Sequence, residues 1–260
     1  MWEHHIKDKK TAYRISRNPY QKKGVDLLLI HGAGGSSQSW LPQLNCLDPM
    51  INACALDLPG HGDTKGPGKE HISDYADWVI NFLESGPVRP FLLGHSMGGA
   101  IAMTVALTRP DLIKGLILIG TGARLKVLPS IINGINKDFI PTVELIIKNA
   151  YAKGADPKTL AMGVELMAQT DPLVLWGDFM ACDEFDVRKT INRLDLPSLI
   201  LVGAEDKLTP VKYSHYLAQQ IPNARIREFS RAGHMVSLEQ YKLVNQALAE
   251  FLLSRPCISR

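Results

Sequence analysis

The sequence is poor in the features that mark several large protein classes. Its four cysteines, Cys46, Cys54, Cys182 and Cys257, are scattered and form no CxxC pair. That argues against a zinc or thioredoxin-like site and leaves the thiols as reduced core fillers. No apolar run approaches the roughly 20 residues of a membrane span, so no membrane partner is expected. The N-terminus, Met1-Trp2-Glu3-His4-His5, lacks the apolar stretch of a signal peptide, and a cytoplasmic location is the expectation. Neither charge sign dominates: 29 Lys and Arg against 26 Asp and Glu leave a net charge of +3. That is too mild to argue for nucleic acid, and Lys7, Lys9, Lys10, Lys22 and Lys23 read as a solvated face. Repeats and low-complexity segments are absent.

What is present is an ordinary globular composition, 45% hydrophobic and 21% charged over 260 residues. The length suits one large domain, or one domain with an insert. The opening residues, Glu3 to Ser16, alternate weakly and suit a hairpin. Short apolar runs at Val25–Ile30, Ile51–Leu58, Pro90–Gly94, Leu112–Ile119, Leu196–Gly203 and Ala224–Phe229 read as strands. Between them lie helical patterns, such as Ile72, Tyr75, Ala76, Val79, Phe82 and Leu83 on one face, with Ser73 as N-cap. Helices also fit Ser37–Leu44, Met97–Thr108, Val211–Ile221 and Leu238–Leu252. This alternation predicts an α/β fold with a mostly parallel sheet covered on both faces. From about Ala123 to Asp186 the patterns are helical and no strand is convincing. Such an insert must sit outside the sheet. It follows a strand's C-terminal end, where open α/β sheets bind ligands, so it reads as a cap over a pocket. The division is therefore a core of residues 1–122 and 187–260 and a helical cap, or lid, of residues 123–186.

The sharpest chemical signal is Gly94-His95-Ser96-Met97-Gly98, a G-x-S-x-G run directly after a strand and directly before a helix. A serine on so tight a turn needs strained backbone, and the flanking glycines let the chain pass without Cβ clashes. The turn lifts Oγ clear of the sheet and sets the Met97 N–H at a helix N-terminus, where it can meet an oxyanion. A serine hydroxyl needs a base. His234, in the loop after the last strand, is the candidate. A carboxylate must fix the tautomer of that imidazole, and Glu205 and Asp206, just past another strand, are both available. The second oxyanion donor should come from His31-Gly32-Ala33-Gly34-Gly35, where the Ala33 N–H is the choice. This glycine-rich loop lacks the spacing of a phosphate-binding loop.

With these pieces in view, the chain resembles an α/β-hydrolase-fold serine hydrolase of the capped, carboxylesterase-like kind. The matching segments are His31-Gly32, Asp57-Leu58-Pro59-Gly60-His61-Gly62, Gly94-His95-Ser96-Met97-Gly98-Gly99, Gly203-Ala204-Glu205-Asp206 and Gly233-His234. The order Ser, Asp, His is the order of that fold. The resemblance selects Asp206 over Glu205, giving Ser96, Asp206 and His234 as the catalytic set. It implies an eight-stranded sheet with one antiparallel strand, a cap after the sixth strand, and no cofactor. Enzymes of this kind that use Asp as nucleophile, the epoxide hydrolases and haloalkane dehalogenases, are disfavoured by Ser96. A metal site is not expected, because no H-E-x-x-H or clustered carboxylate spacing appears.

The expected reaction is hydrolysis of small or medium, largely apolar carboxylic esters through an acyl-enzyme on Ser96. A lactone, or a carbon–carbon bond in a dienoic keto acid, is the alternative, and the latter would require a positive group such as Arg124 or Arg188. A small-molecule receptor of the same fold is the alternative of another class. Trp40, Met162, Met167, Trp176 and Met235 are the candidate pocket residues. His61 and His95 take structural or lining roles. The partner is a small-molecule ester, and the sequence assigns no oligomeric state.

Overall fold

The computed structural model describes residues 11–253. Residues 3–10 of the expected N-terminal hairpin, and Cys257, lie outside them. The rest of that segment supplies one short strand, β1 (Tyr13–Ile15). The further strands are β2 (Val25–Ile30), β3 (Ile51–Leu56), β4 (Phe91–His95), β5 (Gly115–Ile119), β6 (Ser198–Gly203) and β7 (Ala224–Phe229). They form one sheet in the order β1-β3-β2-β4-β5-β6-β7. Only β1 runs antiparallel, paired with β3; the other neighbours are parallel. The sheet thus has seven strands among the described residues, one fewer than the resemblance implied, and the cap-like helices follow its fifth strand.

The two-sided burial that sequence runs such as Leu27-Leu28-Leu29-Ile30 suggested is visible in the core. Leu28, Ile30, Leu92, Leu116 and Leu118 face one apolar cluster, with α2 (Ile72–Glu84) and α3 (Met97–Thr108). Leu27, Leu29, Leu93, Ile117 and Ile119 face another, with α1 (Leu41–Cys46) and the C-terminal helix. Successive residues of one strand serve opposite layers because strand side chains alternate. Each fully buried Leu or Ile contributes about 1.5–3 kcal/mol relative to an exposed one.

Local boundaries differ in physically readable ways. Helix α2 starts at Ile72 with His71, not Ser73, as its N-cap. Pro110 opens a short 3-10 turn over Pro110–Leu112, which delays β5 to Gly115.

Between β5 and β6 lie α4 (Pro129–Lys137), α5 (Phe139–Ala150), α6 (Pro157–Ala168) and α7 (Pro172–Glu184). Proline at the start of α4, α6 and α7 suits first-turn positions, and Asp156 and Asp171 cap the latter two by accepting from Lys158 and Leu173 N–H. These helices enclose their own cluster of Ile135, Val143, Ile147, Ala150, Tyr151 and Leu175. The chain leaves and rejoins the core side by side: Val187 N–H donates to Ala123 O at 2.8 Å, and Arg124 bridges Asp186. After β6 come α8 (Val211–Gln220), then β7, α9 (Val236–Glu239) and α10 (Tyr241–Leu253). The last two replace the single final helix expected, with a break at Gln240.

Candidate active site

Strand order reverses at the centre of the sheet. β2 has β3 on one side and β4 on the other, so their following loops diverge and leave a crevice at their C-terminal ends. The loop after β2 is His31–Gly35 and the turn after β4 holds Ser96. A cavity of about 1090 Å³ opens here, bounded on its other side by α5 and α6, and both Ser96 and His234 line it.

Ser96 has φ 54° and ψ −118°, a left-handed backbone rare for a residue with a side chain. The strain costs of order 1–3 kcal/mol and must be held in place by surrounding bonds. Ser96 N–H donates to Ile119 O at 3.0 Å, and its carbonyl accepts from the Thr121 hydroxyl at 2.9 Å. A Cβ on Gly94 would run into the Gly98 backbone, and one on Gly98 into the carbonyls of Ile30 and His31. The motif's glycines are therefore required by contact with backbone, which cannot move aside. Met97 begins α3, so its N–H has no acceptor within the helix.

His234 is buried, and its Nδ1 lies 2.9 Å from Asp206 Oδ2. Asp206 Oδ1 accepts from the backbone N–H groups of Leu208 at 2.9 Å and Thr209 at 2.8 Å, and Oδ2 also accepts the Thr209 hydroxyl at 2.8 Å. Burial alone would raise the Asp206 pKa. His234 and these donors outweigh it and hold the carboxyl below its ordinary range. Glu205 points elsewhere, accepting from Lys153 N–H at 2.9 Å. The structure thus brings Asp206, and not Glu205, against the imidazole. His95 Nε2–H donates to the His234 carbonyl at 3.0 Å, and burial pushes its pKa down to about 3, so it is neutral.

The loop after β2 turns back on itself, with Gly35 N–H donating to Gly32 O at 3.0 Å and Gly34 at φ 62°. Ala33 lies within this turn and lines the cavity. His31 braces the loop from below: its Nε2 accepts from Leu58 N–H at 3.1 Å, and its Nδ1–H donates to Gly32 O at 2.8 Å. Burial and the neighbouring His61 push His31 down to about 3.

His61 is the opposite case. Nδ1 faces the Pro59 carbonyl at 3.1 Å and Nε2 faces Asp178 Oδ2 at 2.8 Å, so both nitrogens meet acceptors, an arrangement that favours the protonated ring. Burial pulls its pKa down, but Asp178, the Pro59 carbonyl and Asp57 together raise it.

Of the expected pocket residues, Met162, Met167 and Met235 line the cavity. Trp40 and Trp176 do not. Trp40 is 1% exposed and packs in the core below the sheet, edge-on to His95. Trp176 packs among the apolar residues between the insert helices. A tryptophan ring carries a large apolar surface, and here both pack against apolar neighbours away from the cavity. Arg124 and Arg188 both pair with Asp186 and stand outside the cavity wall. Thr209, Thr121 and Asp178 carry no mark in the sequence. Their contacts are long-range or depend on a turn, and no spacing singles them out. Among the described residues, no group of three or more His, Cys, Asp and Glu could hold a metal ion, and no helix is long and apolar enough to cross a membrane.

A strained serine at the switch point of a mostly parallel sheet, with a histidine–carboxylate pair on the same cavity, defines the nucleophilic hydrolases. The comparisons agree. Residues 27–247 match the alpha/beta hydrolase family, and the chain belongs to it. A solved thermophilic esterase superposes with a TM-score of 0.83 and 31% identity, covering 94% of this chain and 93% of its own. The (E)-2-((N-methylformamido)methylene)succinate hydrolase of Acinetobacter baylyi is 26% identical, covering 91% of this chain and 93% of its own. The pimeloyl-(acyl-carrier protein) methyl ester esterase of Vibrio campbellii is 27% identical, covering 88% of this chain and 95% of its own. The protein is a hydrolase of this superfamily.

Proposed function

We propose that the protein is a serine esterase acting on largely apolar carboxylic esters of small or medium size. The observation that carries this reading is the left-handed Ser96 on the same cavity as the Asp206–His234 pair. In the proposed reaction His234 takes the Ser96 proton as Oγ attacks the ester carbonyl. The N–H groups of Ala33 and Met97 hold the oxyanion. His234 then protonates the departing alcohol, and water repeats the sequence on the acyl-enzyme. Asp206 keeps the proton on Nδ1 and stabilises the imidazolium.

The insert of residues 123–186 acts as the cap in this reading, and its side of the cavity, with Leu145, Ile146, Met162 and Met167, is mostly apolar. An apolar wall favours an acyl chain over a charged group. The arginines considered for a dienoic keto acid, Arg124 and Arg188, are paired with Asp186 and stand outside the cavity wall. The free thiols of Cys46, Cys54 and Cys182 suit a reducing, cytoplasmic compartment.

Hydrolysis of p-nitrophenyl esters of increasing acyl length, with Ser96→Ala alongside, tests the reading. Each added methylene buried in the cavity is worth about 0.8 kcal/mol, so kcat/KM should rise about fourfold per carbon until the chain fills the space. The Ser96→Ala protein should be inactive. A folded wild type that cleaves none of these esters would refute the assignment.

A further inference from the structure

The insert grips the loop expected to supply the second oxyanion donor, and it does so at one residue, Gly34. Gly34 N–H donates to Asp178 Oδ2 on α7 at 2.9 Å. Gly34 O accepts from the Thr170 hydroxyl, in the turn before α7, at 3.2 Å. A Cβ on Gly34 would lie 2.5 Å from Leu175 Cδ1 and 3.1 Å from Met167 Cγ. The insert thus binds both polar groups of the Gly34 backbone and leaves no room for a side chain.

Asp178 is itself firmly placed. It is fully buried, and each oxygen has a core partner: Oδ2 the His61 ring at 2.8 Å, Oδ1 the Tyr75 hydroxyl at 2.7 Å. A lid whose only task was to cover substrate would need apolar contact at its edge. It would not need a buried carboxylate on a backbone N–H one residue from Ala33. Burying an ionised carboxylate is costly unless it is paired and its lone pairs are filled.

Resting on the serine-hydrolase reading above, we propose that Asp178 is a positioning residue that holds the Ala33 N–H in register for the oxyanion through its bond to Gly34, so that the insert completes the catalytic loop as well as shaping the pocket. Asp178 touches no reacting atom. With this bond lost, Gly34 keeps the Thr170 hydroxyl on its carbonyl and the turn keeps its closure from Gly35 to Gly32, but nothing holds the Gly34 N–H, and the Ala33 N–H beside it is free to drift. A misplaced donor should slow the chemical step and leave substrate binding near its original strength.

The test uses a fluorophosphonate, which needs no knowledge of the natural substrate. Ser96 Oγ displaces fluoride at phosphorus, His234 accepts the serine proton, and the phosphonyl oxygen sits where the oxyanion forms. The maximal labelling rate and the half-saturating concentration are measured separately, with peptide mapping to Ser96. Losing a whole oxyanion donor costs about 10²–10³ in rate, so Asp178→Ala, which removes the acceptor for the Gly34 N–H, should lower the maximal rate about a hundredfold, whereas Asp178→Asn can keep its carbonyl oxygen on that N–H and should lose about tenfold at most. The half-saturating concentration should stay within about threefold. Tyr75→Phe removes a bond to the other oxygen of the same carboxylate and should leave the rate within about threefold of wild type. Thr170→Val, which should fold even if Asp178→Ala does not, should lower the rate about fivefold, as for one neutral hydrogen bond.

Equal maximal rates for folded Asp178→Ala and wild type would overturn the proposal; where Asp178→Ala does not fold, an unchanged rate in Thr170→Val would do so. So would a loss in Tyr75→Phe as large as in Asp178→Ala, because that marks general loosening of the insert. A wild type that is not labelled at Ser96 would instead overturn the serine-hydrolase reading, and this inference with it.

Discussion

Replacing Asp206 with asparagine should nearly abolish hydrolysis without disturbing the fold, and the hydrogen bonds say why. Asp206 Oδ1 faces two backbone N–H donors, from Leu208 and Thr209. An asparagine at this position must present its carbonyl oxygen to them, since its NH₂ would meet donors with donors. The NH₂ then points at His234 Nδ1, where Oδ2 now sits at 2.9 Å. Facing a donor, the imidazole must accept at Nδ1, which moves its proton to Nε2. In the proposed mechanism, the nitrogen that takes the serine proton is then already occupied. A tautomer trapped in this way lowers kcat by about 10⁴, or about 5.4 kcal/mol of barrier. The assay is kcat on the best p-nitrophenyl ester, with a thermal melt to check folding. Glu205→Gln is the control: Glu205 touches Lys153 N–H and not the imidazole, so it should keep kcat within about threefold of wild type. A folded Asp206→Asn protein with a tenth or more of the wild-type kcat would refute this reasoning. A dead Glu205→Gln beside an active Asp206→Asn would assign the role to the other carboxylate.

Other outcomes follow from the same contacts. Thr209→Val removes a hydroxyl that lies 2.8 Å from Asp206 Oδ2 and 3.1 Å from His234 Nδ1, and should lower kcat about five- to tenfold with little change in KM. Gly98→Ala should cost about 3 kcal/mol or more in urea denaturation, because its methyl meets the backbone carbonyls of Ile30 and His31. His95 has a folded pKa of about 3 against an ordinary 6.5. The unfolded chain therefore binds the extra proton between those values, and stability falls as pH drops below about 6.5. Urea midpoints from pH 4 to 7 should decline less steeply in His95→Gln; an unchanged slope would remove His95 as the cause. His61 has the opposite sign, its pKa being raised by Asp178. Its contribution is complete below the ordinary histidine value and is lost as pH rises through the folded one, so His61→Gln should flatten the alkaline limb of the same curve.

Much of this arrangement is legible in the sequence because its signals are local. A run such as Leu27-Leu28-Leu29-Ile30 can bury every residue only between two layers, and it does. Gly94-His95-Ser96-Met97-Gly98 carries its geometry within five residues, so the spacing of its glycines alone points to a strained turn. The run of helices between β5 and β6 shows as an interruption of the strand–helix rhythm. What stays hidden depends on residues far apart in the chain. Asp178 meets Gly34 across 144 positions and His61 across 117, and nothing around Asp178 marks it as more than a helix residue. The loop of His61 points to a structural role; that its protonated form is favoured becomes apparent only once Asp178 and the Pro59 carbonyl face its two nitrogens. Trp40 and Trp176 depart from expectation for another reason. Proximity to the motif, or membership of the insert, suggests the cavity, whereas packing draws both rings into the apolar layers beside it. The choice between Glu205 and Asp206 rests on resemblance, and two adjacent carboxylates on one loop differ in direction, which composition does not encode.

The most direct test of the central claim is to trap the intermediate. The protein is mixed with its best p-nitrophenyl ester, quenched in acid during turnover, and its mass measured intact and after digestion. A mass increase equal to the acyl group is expected, mapped to Ser96 and absent from Ser96→Ala. Continued turnover by Ser96→Ala, or wild-type turnover with the acyl group on another residue, would contradict it.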